Sequence, residues 1–244
     1  MKVVLLAGGF ATRLWPLTKD TPKALLEVGE RTILEHILHQ LEQMPRVKLI
    51  YITTNEKFAP NFREFLARWK GRKTVKLIVE EGMSEEGKKG SVGALLHLHN
   101  KGLLDQRTMV LAADNLFGHG LVDTMNGLAE GERDFILLSD VREPGAATHY
   151  GVCSLDKDSR VSDFVEKPKR PKSTLVSTGC YVLSRELLDL LPEYEKGGGG
   201  TDRMGDFIRW LVSRTELHGV VFKGRWYDIG THEQLHRARR EHAH

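Results

Sequence analysis

The chain has 244 residues, 40% of them hydrophobic, enough to bury a full core as one large domain or two fused lobes rather than remain disordered. Lys and Arg number 36 against 33 Asp and Glu, and the net charge of +3 is too small and too dispersed to argue for a nucleic-acid partner. No apolar run approaches the ~18 residues of a membrane span, and residues 3–7 are too few for the core of a signal peptide, so the expectation is a cytoplasmic protein without a membrane partner.

In chain order, residues 2–7 read as a strand, 32–44 as a helix, 48–53 as a strand, 57–70 as a helix and 75–80 as a strand, a β-α-β-α-β series. Thr32 and Glu35 have capping-box spacing, and Ile33, Ile37, Leu38 and Leu41 form one apolar stripe behind them. Ser91 reads as the N-cap of a helix over 92–98, followed by a strand over 108–113. The fold class expected is α/β, a Rossmann-like doubly wound and mostly parallel sheet that binds ligands beyond the carboxyl ends of its strands. After about residue 140 shorter β runs take over, at 151–155, 161–166 and 176–183, with helices from Arg185 and Met204. These read as a smaller β-rich lobe. Residues 197–200 are four glycines, a flexible loop by composition, and a last strand and helix follow from Leu217. No repeat or low-complexity tail is visible, so residues 1–244 read as one continuous unit with parts at about 1–140 and 141–244. Cys153 and Cys180 lack C-x-x-C spacing and read as buried, reduced thiols.

The first strand breaks into Gly8-Gly9-Phe10-Ala11-Thr12-Arg13-Leu14-Trp15-Pro16-Leu17-Thr18, with Pro22-Lys23 close behind. Two glycines at a strand end let backbone N–H groups approach a ligand, and a guanidinium and an ammonium then lie on one short excursion. Polyphosphate is the guest this chemistry suits. Leu14, Trp15 and Leu17 interleave with the polar residues, and the prolines stiffen the backbone, so the loop is expected to be packed in place around Arg13. It is neither a G-x-x-x-x-G-K-[ST] P-loop nor an intact G-x-G-x-x-G.

These residues resemble the signature of the sugar-1-phosphate nucleotidylyltransferases, G-G-x-[GA]-[ST]-R-L-x-P-L-T followed by P-K. Ala11 stands where many members have glycine, which an ordinary backbone angle would tolerate. The resemblance implies that Leu6, Ala7, Gly8, Gly9 and Thr12 meet the nucleotide and that Arg13 and Lys23 are catalytic. Asp114 ends the strand before it and reads either as a metal ligand or as a cap of the next helix or turn. Asp228, in Trp226-Tyr227-Asp228-Ile229-Gly230, supplies a second hard oxygen donor, and the resemblance implies that the pair holds Mg²⁺.

Glu166-Lys167-Pro168 is by its own pattern a surface ion pair at a turn. By the resemblance Glu166 accepts from sugar hydroxyls, Lys167 holds the nucleophilic phosphate, and Gly151 and Thr178 belong to further sugar-contacting segments. Gly90-Ser91-Val92-Gly93-Ala94-Leu95 resembles the segment that lies against the base. Glu80 or Glu81 stands where the thymidylyl enzymes have glutamine, after which residues 80–89 run longer than usual and end in Lys88-Lys89. His232 and His236 read as part of a solvated helix rather than as a zinc set.

The resemblance implies direct attack of a sugar 1-phosphate on the α-phosphorus of a nucleoside triphosphate, with pyrophosphate leaving and no general base required. Ala113 to His119 and the segments from Glu166 to Gly179 resemble the glucose-1-phosphate thymidylyltransferase branch of the family, and that resemblance implies dTTP and glucose 1-phosphate. A carboxylate near residue 80 keeps mannose-1-phosphate guanylyltransferase open, since guanine presents two adjacent donors; uridylyl and cytidylyl transfer are further alternatives. A non-catalytic nucleotide-sugar-binding subunit is the reading of a different class. Homo-oligomers are common in the family, and no appended β-helix domain is expected in 244 residues.

Overall fold

The computed structural model describes residues 1–80, 89–128 and 131–242. The elements of the first half are β1 (Lys2–Leu6), β2 (Glu27–Val28), β3 (Arg31–Thr32), α1 (Ile33–Glu42), β4 (Leu49–Asn55), α2 (Ala59–Arg68), β5 (Thr74–Glu80), α3 (Gly90–Asn100), β6 (Thr108–Ala112), β7 (Asn115–Phe117) and α4 (Leu121–Leu128). The second half adds β8 (Phe135–Asp140), α5 (Pro144–Ala147), β9 (Gly151–Leu155), β10 (Val161–Glu166), β11 (Leu175–Leu183), α6 (Arg185–Leu188), α7 (Leu191–Lys196), α8 (Met204–Val212), β12 (His218–Val221), β13 (Trp226–Asp228) and α9 (His232–His242).

By internal contact the chain forms two compact units: residues 1–90, 111–130 and 224–244, and residues 91–110 and 131–223. The units therefore interleave along the sequence instead of meeting at residue 140, because β13 returns to pair with β7.

In the first unit β1 pairs with β4 and β4 with β5, both in parallel, with Val3 opposite Ile50 and Ile50 opposite Val75. Strands buried on both faces need continuous apolar runs, and Val3, Val4, Leu5, Ile50 and Ile52 are all fully or almost fully buried. The α1 capping box forms as its spacing requires: Glu35 N–H donates to Thr32 Oγ1 at 3.2 Å, and Thr32 N–H donates to Glu35 Oε2 at 2.7 Å. Its stripe of Ile33, Ile37, Leu38 and Leu41 is buried. The α/β, Rossmann-like class expected from the sequence is the one observed.

The second unit is mainly antiparallel. β8 lies between β11 and β12, pairing antiparallel with the first and parallel with the second, while β9 pairs antiparallel with β10 and β11. The β11 register shifts between Ser177 and Cys180, where Gly179 takes φ +72 as a bulge requires. Ser91 does not cap α3: it sits inside the first turn, and its hydroxyl donates to the Asp202 carbonyl at 2.9 Å. Of the glycines at 197–200, Gly199 makes room for one ring. Tyr194 donates to the Gly200 carbonyl at 3.1 Å, and a Cβ on Gly199 would lie 2.4 Å from its Cζ. Cys153 and Cys180 are buried and free, and burial pushes the Cys153 thiol up to about 12.

Candidate active site

β1 ends at Leu6, and the chain leaves the sheet through Ala7, Gly8 and Gly9. Asn55, the last residue of β4, fastens this turn: its Nδ2 donates to the Gly8 carbonyl at 2.9 Å while its Oδ1 accepts from Phe58 N–H at 3.0 Å. Sequence reasoning missed Asn55, although an Asn closing a strand is a known turn former. Ala11 then takes φ 50 and ψ 43, a left-handed conformation that costs an L-residue roughly 1–2 kcal/mol. The condition under which alanine costs nothing here, an ordinary backbone angle, is therefore not met, and glycine would adopt this conformation freely. The Ala11 carbonyl accepts from Leu14 N–H at 2.9 Å and from Thr18 Oγ1 at 2.7 Å, closing a single helical turn over Thr12–Leu14. Leu14 and Thr18 are buried, but Trp15 and Leu17 are 50% and 42% exposed, so these two do not pack the loop as expected.

Leu6, Ala7, Gly9, Thr12, Arg13, Lys23 and Asp114 line one cleft of about 240 Å³. Asp114 follows β6, whose end is tied to β1 by Ala113 N–H donating to the Leu6 carbonyl at 3.0 Å. Asp114 lies in the turn that leads into strand β7, so no helix follows for it to cap, and the turn is the part of that alternative that the structure keeps. One carboxylate oxygen of Asp114 pairs with Lys23 Nζ at 2.5 Å, and the other accepts from Asn115 Nδ2 at 3.0 Å. Asn115 is held in turn by Trp226 Nε1, which donates to its Oδ1 at 2.6 Å. The β7–β13 ladder places Asp228 opposite Asn115, and Ile229 N–H donates to the Asp114 carbonyl at 3.1 Å. Asp228, distant in the sequence, is thereby brought opposite the residue that follows Asp114. Arg13 lies against the same turn, since a Cβ on Gly230 would be 3.5 Å from its Nη2.

Two carboxylates suit a hard divalent cation. Among the described residues no group of three or more His, Cys, Asp or Glu side chains is placed to hold a metal, so phosphate oxygens and water would complete the shell. The donor set fits a cation that binds together with a polyphosphate.

Glu80 closes β5 and is 6% exposed; its Oε1 has no hydrogen-bond partner among the described residues. Burial pushes its carboxyl up to about 7, against the opposing pull of Lys89 and the Thr53 hydroxyl. A Cβ on Gly8 would lie 4.0 Å from that oxygen, which puts Glu80 beside the glycine turn. Gly90 opens α3 at φ +74, and Glu81 and Lys88 lie outside the described residues.

In the second unit Glu166 ends β10 opposite Gly151, and burial raises its carboxyl pKa against the pull of Lys167. A Cβ on Gly151 would lie 2.4 Å from Phe164 Cζ, so glycine is needed there for space. Lys167 holds φ 49, its N–H donates to the Tyr150 carbonyl at 2.9 Å, and its Nζ stands 4.0 Å from Glu166 Oε1 with the side chain 58% exposed. The Thr178 side chain is not free for a sugar: it is buried and its hydroxyl donates to the Leu137 carbonyl at 2.8 Å. Ser177 Oγ instead donates to the Tyr181 hydroxyl at 2.9 Å, a buried pair that the sequence did not signal. His232 Nε2 meets the Trp15 carbonyl at 3.0 Å.

Similarity to known proteins extends over the whole chain. UTP–glucose-1-phosphate uridylyltransferase AglF of Haloferax volcanii is 28% identical across 94% of this chain and 91% of its own length. Glucose-1-phosphate thymidylyltransferase of Xanthomonas campestris pv. campestris is 29% identical across 97% and 79%. Bifunctional protein GlmU of Methanococcus aeolicus is 28% identical across 94% of this chain, which spans only about half, 51%, of that relative. A Bacillus anthracis structure assigned to glucose-1-phosphate thymidylyltransferase, solved with sucrose, superposes with a TM-score of 0.85 at 27% identity, covering 100% of this chain and 95% of that one. A UDP-glucose pyrophosphorylase complexed with UDP-glucose shares the fold at a TM-score of 0.83 and 20% identity, covering 99% and 97%. The family model described as nucleotidyl transferase matches residues 2–244, and the chain belongs to that family of enzymes.

Proposed function

We propose that the chain transfers a nucleotidyl group from a nucleoside triphosphate to a sugar 1-phosphate, releasing pyrophosphate, with dTTP and glucose 1-phosphate as its pair. The observation that carries this reading is one cleft in which Arg13, Lys23 and Asp114 surround a glycine turn whose backbone is pinned by Asn55 and Thr18. A preorganised turn of this kind binds phosphate without reorganising, and its two cations offset the charge that builds up during transfer.

Arg13 and Lys23 take the triphosphate in this mechanism. Lys23 shares Asp114 Oδ2 at 2.5 Å, so its ammonium is already held in the cleft and exchanges a carboxylate partner for phosphate oxygens. Asp114 and Asp228 are the residues that would hold Mg²⁺, which when bound neutralises phosphate charge and improves pyrophosphate as a leaving group. Glu166 orients the sugar through its hydroxyls, and Lys167 holds the attacking phosphate. That phosphate is an anion at neutral pH, so no residue must remove a proton.

The relatives named for thymidylyl and uridylyl transfer support a pyrimidine donor. Glu80 favours a second reading, guanylyl transfer to mannose 1-phosphate, because above its raised pKa the carboxylate beside the glycine turn only accepts hydrogen bonds, and the two adjacent donors of guanine would themselves favour that ionised form. Pyrophosphate release measured for each of the common nucleoside triphosphates against glucose 1-phosphate and mannose 1-phosphate separates the two readings. Under the first, kcat/KM is highest with dTTP and glucose 1-phosphate; under the second, with GTP and mannose 1-phosphate. Silence across the grid from folded protein would favour a binding subunit.

A further inference from the structure

Gly205, in the first turn of α8, stands against Glu166. A Cβ built on Gly205 would lie 2.2 Å from Glu166 Oε2, 3.0 Å from its Cδ and 3.3 Å from Phe164 Cε1. Gly151 also leaves space for it, since a Cβ there would lie 3.1 Å from the same Oε2. The carboxylate therefore occupies space that a side chain on either glycine would crowd, one opening β9 and one in the first turn of α8, both in the second unit.

Backbone conformation does not account for Gly205. It is absent from the positive-φ residues, and inside a helix glycine is a poorer choice than alanine. What glycine uniquely supplies here is room for Glu166. The other charged groups that act on this carboxylate, Lys167, Asp206, Arg203 and Arg209, come from the same turn and from α8 with its flanking residue.

We infer that Gly205 is a positioning residue for sugar recognition: by lacking a side chain it lets the Glu166 carboxylate draw back against α8 and so sets the depth of the sugar-hydroxyl acceptor. This rests on the reading of Glu166 as the sugar contact. A methyl group at position 205 forces the carboxylate out of this space, because the contacted atoms sit at the end of a side chain that can swing while the helix backbone cannot.

The test is a double-mutant cycle of Gly205→Ala and Glu166→Ala, read both as KM for each substrate and as melting temperature. Gly205→Ala alone is expected to raise KM for sugar 1-phosphate at least ~10-fold with KM for the triphosphate changed less than about twofold, the loss of one well-placed hydrogen bond to a charged group. In the Glu166→Ala background the same change is expected to leave KM for sugar 1-phosphate unaltered and to lower the melting temperature less than it does in the parent, since the contacts with the carboxyl group are gone and only the 3.3 Å approach to Phe164 Cε1 opposes the gain in helix propensity. Glu166→Asp, one methylene shorter, is expected to recover part of the loss when combined with Gly205→Ala. An unchanged sugar 1-phosphate KM in Gly205→Ala, or equal effects of that substitution in both backgrounds, overturns the inference while leaving the transferase reading intact. Should Gly205→Ala fail to fold, the Glu166→Ala background decides: failure to fold there as well overturns the inference. Absence of turnover by the parent enzyme would remove the sugar reading and this inference together.

Discussion

Replacing Glu80 with glutamine tests whether a carboxylate is kept buried at the edge of the phosphate-binding turn at a cost to stability. Its ordinary pKa of 4.5 rises to about 7 in the folded chain, with burial as the chief cause. Below the unfolded value both states hold the proton, and the group has no effect on the balance. Between 4.5 and about 7 the unfolded chain releases its proton while the folded chain retains it, so stability falls as pH rises through this window and levels off above it. The full gap corresponds to about 3 kcal/mol at ~1.4 kcal/mol for each pH unit. Glutamine keeps the shape and carries no charge. Glu80→Gln should therefore be more stable than the parent by up to about 3 kcal/mol at ~pH 8 and nearly equal to it near the unfolded pKa. Urea unfolding at the two pH values measures the difference, with the slope of each transition checked for constancy. A stability difference independent of pH, or a glutamine variant weaker at the higher pH, would refute the burial argument.

Three further outcomes are expected from the geometry. Ala11→Gly relieves a left-handed alanine at φ 50 and should stabilise the chain by about 1 kcal/mol once the greater freedom of glycine when unfolded is subtracted, visible as a higher urea midpoint; a lower midpoint would contradict it. Asp228→Asn removes one of two carboxylates at the β7–β13 ladder with little change in volume, so circular dichroism should match the parent while divalent-dependent turnover falls by at least ~100-fold. Near-parental turnover would take Asp228 out of the mechanism. Lys167→Ala should raise KM for sugar 1-phosphate more than KM for the triphosphate, and equal changes would contradict its place on the acceptor.

Much of the first unit was legible because local chemistry and tertiary packing agree there. The capping box at Thr32 and Glu35, the apolar stripe of α1 and the strand-ending glycines each dictate one local structure, and the chain adopts it. Arg13, Lys23 and Asp114 converge on one cleft, as their residue types suggested. Conformations and partners set by distant residues stayed hidden. Ala11 is left-handed because its carbonyl is claimed by Thr18 and Leu14, and no local pattern announces that. Thr178 looked available for sugar, yet the β11 bulge turns its hydroxyl to Leu137. Gly205 gave no signal, since its significance is the position of Glu166 far away in the chain.

The most direct test of the proposed reaction follows phosphorus. With α-labelled dTTP, glucose 1-phosphate and Mg²⁺, the α-phosphorus is expected in a nucleoside diphosphate sugar, with one pyrophosphate released for each triphosphate consumed and none without the sugar phosphate. Triphosphate cleavage that proceeds equally without the acceptor, or no transfer by folded protein to glucose 1-phosphate or mannose 1-phosphate from any of the common triphosphates, would contradict it.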